Sequence, residues 1–268
     1  MNKNKALALI ALGVMLLAGS NSAFAAKGKN IKIDTVRFEK SDTAANVEIF
    51  VHWPVKGDKA VVDSLQKFIG GLIGGDCTDA KSIKDYGLSL FESLSLDWHS
   101  VYDEMEPYDR LGAFERTHSI IKLYETKRYV TYHYTTFEYG GGIHGYTTEV
   151  GFTFRKSDGK HISLLENTDS PELAQLIKEG IKSFFAGGQD KTMTDEEVLE
   201  YLFADEVEAL DNLPLPLNAP YLSDTGVVFL YTQYEIAPYS SGIITFEVPF
   251  KDITPFLTQE AKALIPRP

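Results

Sequence analysis

The sequence predicts an α+β fold, with antiparallel sheets, helices packed on one side of them, and two intimately packed sub-domains. Three observations lead to this class. Strand patterns come as neighbouring runs joined by short turns, helical patterns interrupt them in pairs, and no repeat or linker divides the 268 residues. Adjacent strands followed by adjacent helices are typical of α+β rather than α/β proteins. With 44% hydrophobic and 24% charged residues, the chain has the composition of an ordinary globular protein.

The first half shows two strands, two helices and a strand hairpin in sequence. They are expected over residues 31–38, 47–55, 61–73, 79–106 and 114–139. The first helix is predicted from apolar residues at helical spacing, and Asp58 is a suitable N-cap. The hairpin is predicted from two runs rich in Thr, Tyr, Ile and Val on either side of Thr126-Lys127.

The second half shows a strand, two helices, two more strands and a final helix. They are expected over residues 149–155, 171–185, 194–202, 226–235, 242–248 and from 254 onward. Ser170-Pro171 is a cap followed by proline in the first turn, and Thr194 to Glu197 is a capping box. Both signals mark helix starts.

The N-terminus has the pattern of a secretory signal peptide. A basic start with Lys3 and Lys5, a short apolar run and Ala23-Phe24-Ala25 predict a signal peptide over residues 1–25, with an uncleaved anchor as the alternative. Ser20 stands where a lipoprotein would carry a cysteine for acylation. The expected organisation is a signal peptide, an N-terminal α+β sub-domain over 26–146 and a C-terminal α+β domain over 147–268. We expect a mature protein that is soluble and either periplasmic or secreted.

The net charge of the chain limits the classes of partner that we expect it to bind. The formal net charge is −12, and loss of Lys3 and Lys5 would take it to −14. Phosphates of nucleic acids and anionic lipids repel such a protein, whereas a basic partner is steered toward it. We therefore expect no nucleic acid as a partner. No stretch after residue 25 is long and apolar enough to span a membrane, so no membrane span is expected in the mature chain. Solubility alone is the alternative reason for the acid excess.

Motifs of catalysis and cofactor binding are missing from the sequence. Gly140 to Gly145 matches the letters of a dinucleotide fingerprint, but a strand is expected after it instead of the required helix. No Gly-x-Ser-x-Gly and no zinc-protease histidine pair occurs. His133 and His144 could approach each other across the loop, although such a pair is more often structural than metal-binding. We expect no catalytic residues, no metal and no cofactor.

Cys77 is the only cysteine, so no disulfide can form within one chain. We expect a buried thiol, with pairing between two chains as the alternative. The adjacent Asp76 disfavours a thiolate and hence nucleophilic use.

Two segments carry a resemblance to a known family. The first is Tyr139-Gly-Gly-Gly-Ile-His144-Gly-Tyr146 with the strand and Ser157-Asp158-Gly159-Lys160 turn that follow, and the second runs from Asp224 through Tyr234-Glu-Ile-Ala-Pro-Tyr239. They resemble the domain-of-unknown-function family found in the extracellular part of the anti-sigma factor RsiV and in the N-terminal region of the peptidoglycan deacetylase PdaC. The resemblance covers about residues 147–255, and the preceding half matches only in the arrangement of its elements. It implies an α+β fold and a cell-envelope location.

The same two segments contain the candidate binding residues. These are Tyr139, Gly141, Gly142, His144, Tyr146, Tyr231, Tyr234, Glu235 and Tyr239. Tyrosines offer rigid contact area with a hydroxyl, and glycines let a ligand approach the backbone. The alternative is that these residues only specify the fold, with Glu235 bonding backbone groups and Tyr239 buried in the core.

The function expected from these observations is binding without catalysis. RsiV recognises lysozyme, which implies a ligand that is either a peptidoglycan fragment or a basic, lysozyme-like protein. One alternative is a hydrolase of envelope glycan, which needs a pocket with convergent carboxylates or His144 beside a carboxylate. Another is a structural envelope protein without a ligand.

Overall fold

The computed structural model of the chain describes residues 30–102, 112–187, 193–203 and 209–266. The predicted signal peptide over residues 1–25 lies outside the described residues. The described chain forms a five-stranded and a three-stranded sheet with helices, so the α+β prediction is confirmed. Within these ranges, no helix combines the length and the apolar character needed to cross a membrane.

The first sheet has its five strands in chain order. They are β1 (Lys32–Ser41), β2 (Ala45–Lys56), β3 (Phe114–Glu125), β4 (Tyr129–Tyr139) and β5 (Tyr146–Arg155). All neighbours are antiparallel except β2 and β3, which run parallel. A parallel pair needs a long crossover, and here α1 (Lys59–Gly74) and α2 (Ala80–Tyr102) supply it. The expected antiparallel sheet therefore contains one parallel pair.

Both crossover helices cover one face of this sheet. Asp58 caps α1 by accepting a hydrogen bond from the backbone N–H of Ala60. The helices and alternate residues of β2 share one apolar core. Its members include Val47, Ile49, Val51, Leu65, Ile69, Ile83, Phe91 and Trp98. Cys77 is buried, as expected. Burial, and secondarily the charge of Asp76, raise the pKa of its thiol.

The second half builds its own sheet and core. Its elements are α3 (Pro171–Phe185), α4 (Asp195–Leu199), β6 (Tyr221–Leu222), β7 (Gly226–Tyr231) and β8 (Ile244–Pro249). The three strands are antiparallel in the order β6-β7-β8. The apolar face of α3, with Leu173, Ile177 and Ile181, shares a core with Phe229 and Phe246 of the sheet.

Two expected elements differ from the structure. The strand expected to reach residue 235 ends at Tyr231, because residues 232–235 turn around the Glu235 carboxylate. The prediction of a single final helix from residue 254 onward was wrong. The chain forms α5 (Phe250–Ile253), a 3-10 turn over Thr254–Phe256 and α6 (Gln259–Lys262), because Pro255 has no N–H to donate and Thr258 caps a new start.

The two halves meet on the far side of β4 and β5. The Thr131 hydroxyl donates to the Leu222 carbonyl at 2.7 Å, and the Leu222 N–H donates to the Thr153 hydroxyl at 2.9 Å. The Tyr221 ring lies directly on Gly151. β5 thus pairs with β4 in the first sheet. On sequence grounds, residues 147–268, which include β5, are instead assigned to the C-terminal domain. The boundary at residue 147 stays a prediction.

Candidate functional site

The glycine loop joins β4 to β5 and projects from the end of the sheet. Gly141 and Gly142 have φ values of 95° and 97°, a region that side chains other than glycine rarely adopt. The Tyr139 hydroxyl donates to the Gly142 carbonyl at 3.2 Å and thereby braces the loop. Ile143, at its tip, is 100% exposed. Because the loop leads into a strand, it has no helix N-terminus to face a pyrophosphate.

The connection after β7 is a tight turn that Glu235 holds from inside. Its carboxylate accepts hydrogen bonds from the backbone N–H groups of Thr232 at 2.7 Å and Leu217 at 2.6 Å. Tyr234 has a φ of 65°, which is uncommon outside glycine and fits this turn. Both carboxylate oxygens of Glu235 are therefore engaged in shaping the backbone, which matches the fold-specifying role considered for it.

The glycine loop and this turn meet at His144. Its ring stacks on Tyr239, with ring centroids 3.8 Å apart and planes 16° apart, and its Nε2 lies 2.8 Å from the Tyr234 hydroxyl. Its Nδ1 lies 2.9 Å from the Gly145 carbonyl oxygen, which can only accept. When the ring is neutral, Nδ1 therefore carries the proton and Nε2 accepts from the Tyr234 hydroxyl.

Gln233 makes a second connection between the two segments. Its side-chain oxygen accepts from the Thr147 N–H at 2.8 Å, and its carbonyl lies 3.4 Å from the Tyr146 hydroxyl that donates to it. Its burial, with 8% exposed, makes it a fixed part of the joint. Sequence reasoning missed Gln233, although it lies inside the Tyr231-Thr-Gln-Tyr234 run.

Large apolar side chains are unusually exposed around this joint. The exposed fraction is 86% for Leu217, 47% for Tyr234 and 38% for Tyr146, beside the fully exposed Ile143. We call this surface the aromatic patch. It consists of Ile143, His144, Tyr146, Leu217, Tyr234 and Tyr239. Sequence reasoning missed Ile143 and Leu217, because an isoleucine or leucine signals the core unless the tertiary structure is known.

The candidate residues thus fall into three groups. His144, Tyr234 and Tyr239 contact one another in the aromatic patch, and Tyr146 joins them through its hydrogen bond to the carbonyl of Gln233, the neighbour of Tyr234. Tyr139, Gly141, Gly142 and Glu235 shape the two loops that carry it. Tyr231 lies in the core instead: it is fully buried, and its hydroxyl donates to the Pro214 carbonyl at 2.6 Å.

His133 does not join His144. It lies in β4 opposite Gly151, is buried under Tyr221, and has its Nε2 3.5 Å from Glu149. Burial lowers the pKa of His133 to about 4 and raises the pKa of Glu149. Among the residues that the structure describes, His144 contacts tyrosines and a backbone carbonyl, and none of its contacts there is a carboxylate. In the described ranges no three His, Cys, Asp or Glu side chains are grouped so as to hold a metal ion.

Two clefts of the described chain lie away from the aromatic patch. One cleft of about 530 Å³ borders the start of α3 and residues 211–215, and another of about 520 Å³ lies between α3 and residues 251–256. Neither is lined by a residue of the aromatic patch. Ile143 and Leu217 are the most exposed members of the patch, at 100% and 86%.

Comparisons with known proteins agree with this architecture. Residues 164–251 match the sequence model of a family described as "Protein of unknown function (DUF3298)". A crystal structure of a DUF3298 family member from Bacteroides fragilis is similar with a TM-score of 0.71 at 18% identity, covering 87% of this chain and 95% of that one. A DUF3298 family protein from Pseudomonas aeruginosa is similar with a TM-score of 0.52 at 14% identity, covering 88% and 98%.

No curated protein matches the chain. The structural likeness spans both halves, whereas the family model covers part of the second half, including the turn that contains Glu235. At these identities the solved structures indicate a shared fold only. Residues 164–251 thus match the DUF3298 family model, and the chain as a whole shares the fold of solved structures described as members of that family.

Proposed function

We propose that this chain is an exported binding protein of the cell envelope whose recognition surface is the aromatic patch. The observation that carries the proposal is the meeting of the two recognisable segments at one exposed joint, where His144 is fixed between Tyr234 and Tyr239. Rigid aromatic groups beside exposed aliphatic ones are typical of surfaces that bind partners. The ligand class is a peptidoglycan fragment or a basic, lysozyme-like protein.

Three further features support this proposal. The N-terminal pattern of residues 1–25 favours export, and the RsiV-like segments favour an envelope ligand. The net charge of −12 favours a basic partner. The joint is also pre-organised, because hydrogen bonds of Gln233 and Glu235 hold both loops, and pre-ordered loops lose less entropy on binding.

Calorimetry of residues 26–268 with a c-type lysozyme, and separately with purified muropeptides, tests the proposal at low and moderate salt. We expect heat of binding with one of these ligands. Tyr234→Ala should raise the Kd at least tenfold, because aromatic anchors carry a large share of binding energy. Tyr201→Ala is the matched control, since Tyr201 is equally exposed at 48% and lies outside the patch.

Absence of heat with both ligands would refute an envelope-ligand function. Equal losses from Tyr234→Ala and Tyr201→Ala would refute the aromatic patch as the recognition surface.

A further inference from the structure

The outer edge of β1 is open among the described residues. β1 is the first strand of the five-stranded sheet and pairs there with β2 alone. Its pairing with β2 is regular over residues 33–41, and this stretch contains no proline. The opposite edge of the sheet, on β5, is partly occupied, because the Ile162 N–H donates to the Thr153 carbonyl at 3.0 Å. A long, regular and open edge is a template for pairing with a further strand.

The side chains on one face of β1 form a pattern that is its own complement. Asp34, Val36, Phe38 and Lys40 alternate along the strand and face the helices, because the β2 residues opposite them belong to the core shared with α1 and α2. Their order is acid, apolar, apolar, base. An antiparallel second copy presents the reverse order, so Asp34 lies opposite Lys40 and Val36 lies opposite Phe38.

Both charged groups of this pattern are available to a second copy. Asp34 and Lys40 are exposed, and no ion pair joins either of them to another described residue. The Lys40 ammonium lies over the Phe91 ring, 4.3 Å from its centroid. Along one strand the two charged residues are about 20 Å apart, at about 3.3 Å per residue, so they cannot pair within one chain. Opposite charges directly across two strands stabilise their pairing.

The same register brings Arg37 of the two copies opposite each other on the other face of the sheet. Like charges facing each other normally oppose strand pairing. Here Arg37 is already bonded to Glu39 at 2.8 Å and to Glu48 at 3.3 Å within its own chain. Each guanidinium therefore meets the other with its charge offset by two carboxylates.

We propose that the protein forms a symmetric dimer in which β1 pairs antiparallel with β1 of a second copy, about a two-fold axis at Arg37. The five strands of each copy then form one continuous sheet. A two-fold interface uses the same surface of both copies, so each half of the pattern must find its complement on the same strand. Asp34 to Lys40 meets that requirement. This inference is independent of the proposed function.

Two copies of α2 fit on the same side of the joined sheet. α2 packs over both β1 and β2, and the Phe38 ring lies against Gly87. Neighbouring strands are about 4.8 Å apart, so two helices above these strand pairs stand about 10 Å from each other, the usual spacing of packed helices. Leu88 is 40% exposed and lies one turn before Phe91, on the side of α2 that contacts Lys40 of β1. We expect Leu88 to contact α2 of the second copy.

Charge reversal at either end of the pattern tests the register. Asp34→Lys places a lysine opposite Lys40 of the second copy, and Lys40→Glu places a glutamate opposite Asp34, so each variant creates two like-charge pairs in its own dimer. Sedimentation equilibrium of residues 26–268 should show a dimer for the wild type and a dimer Kd at least tenfold higher for each variant. Lys67→Glu is the matched control, because it makes the same change of charge at an exposed position of α1 and should change the Kd less than twofold.

An equimolar mixture of Asp34→Lys and Lys40→Glu separates this pairing from a loss of folding. In the mixed dimer the introduced lysine faces the introduced glutamate, and the native Lys40 faces the native Asp34, so both pairs again have opposite charges. The mixture should therefore dimerise with a Kd within about threefold of the wild type. A wild-type chain that stays monomeric would overturn the dimer. A dimer that both single variants leave intact, or variants that stay monomeric when mixed, would overturn the pairing through β1.

Discussion

At the scale of single residues, His118 is a buried polar group beside the first core whose hydrogen bonding is incomplete. It is 7% exposed, its Nδ1 lies 2.6 Å from the Tyr134 hydroxyl, and its buried Nε2 lacks a hydrogen-bond partner in the described part of the chain. Burial, and then the charge of Arg116, lower the pKa of His118 to about 4. The ring is therefore neutral in the folded protein at neutral pH.

This depressed pKa predicts a loss of stability on acidification. The unfolded chain takes up a proton on His118 near pH 6.5, whereas the folded protein does so only near pH 4, so the free energy of unfolding falls as the pH drops between these values. From pH 7.5 to pH 5 the contribution is about 2 kcal/mol. Urea unfolding of His118→Phe should show a pH dependence weaker by about this amount.

Leu96→Ala is the control for that experiment, because it changes an exposed side chain that does not titrate. Its pH dependence should equal that of the wild type. Other groups contribute to the total slope, including the buried His133, but they are common to all three proteins and cancel in the comparison. Identical slopes for His118→Phe and the wild type would contradict the assignment.

At this scale the sequence could indicate hydrogen bonds within a turn, but it could not indicate which side chains are buried. Bonding of backbone groups was the alternative role considered for Glu235 beside ligand binding, and its hydrogen bonds match that alternative. Tyr231 and Tyr234 are equally plausible surface residues in the sequence, yet one is in the core and the other is 47% exposed. Only the path of the chain after β7 separates them.

At the scale of elements, the start of β1 is clamped by charged side chains. Glu125 accepts a hydrogen bond from the Ile31 N–H at 2.8 Å, and the Lys122 ammonium donates to the Ile31 carbonyl at 2.8 Å. Lys156 pairs with Glu125 at 2.6 Å, and the side chains of Lys156 and Glu125 are only 6% and 10% exposed. One carboxylate thus joins β1, β3 and the turn after β5.

Removal of the charge of Glu125 should lower the free energy of unfolding. Glu125→Gln leaves the buried Lys156 ammonium without its counter-charge, and breaking a buried pair from one side costs about 3 kcal/mol. Thermal and urea unfolding should both show the loss. Glu39→Gln, which removes an exposed partner of Arg37, should change the free energy of unfolding by less than about 0.5 kcal/mol. Equal effects of the two changes would show that the clamp has no special role.

Element starts were predictable because caps are local signals. Asp58, Ser170 and Thr194 each cap the helix expected after them. The parallel pairing of β2 with β3 was not predictable in the same way, since it depends on two helices packing on one face of the sheet. The broken C-terminal helix was missed because Ser/Thr-Pro also opens α3, where proline starts a long helix.

At the scale of the whole molecule, both halves depend on a close approach at Gly151. A Cβ at this position would overlap the Tyr221 ring, which packs between the sheets beside His133. The hydrogen bonds of Thr131 and Thr153 to Leu222 lie on the same contact. The halves therefore share buried polar bonds as well as apolar area, which favours unfolding as one cooperative unit.

Gly151→Ala should test this dependence. The added methyl group forces Tyr221 away from the sheet, and overpacking of this kind costs about 1–3 kcal/mol. Gly140→Ala is the matched control, because nothing lies within 4 Å of a Cβ built there. Calorimetric unfolding should show a lower Tm for Gly151→Ala alone. An unchanged Tm would mean that the two halves tolerate separation at this point.

The fold class was predictable from the order of strand and helix patterns, but the aromatic patch was predictable only in part. Its tyrosines and His144 stand out in sequence, whereas Ile143 and Leu217 become informative only through their exposure of 100% and 86%. Exposure of an apolar side chain is a property of the folded surface and leaves no mark on local sequence.

Residues 129–154 and 192–250, which include the loops of the aromatic patch, contain no lysine or arginine, and this affects their susceptibility to proteolysis. Trypsin-like proteases cut after these two residues, so they have no cleavage site between Arg128 and Arg155 or between Lys191 and Lys251. A protruding loop is otherwise a preferred place for nicking. The exposed glycine loop therefore offers no cleavage site to enzymes of that specificity, although its tip residue Ile143 is fully exposed.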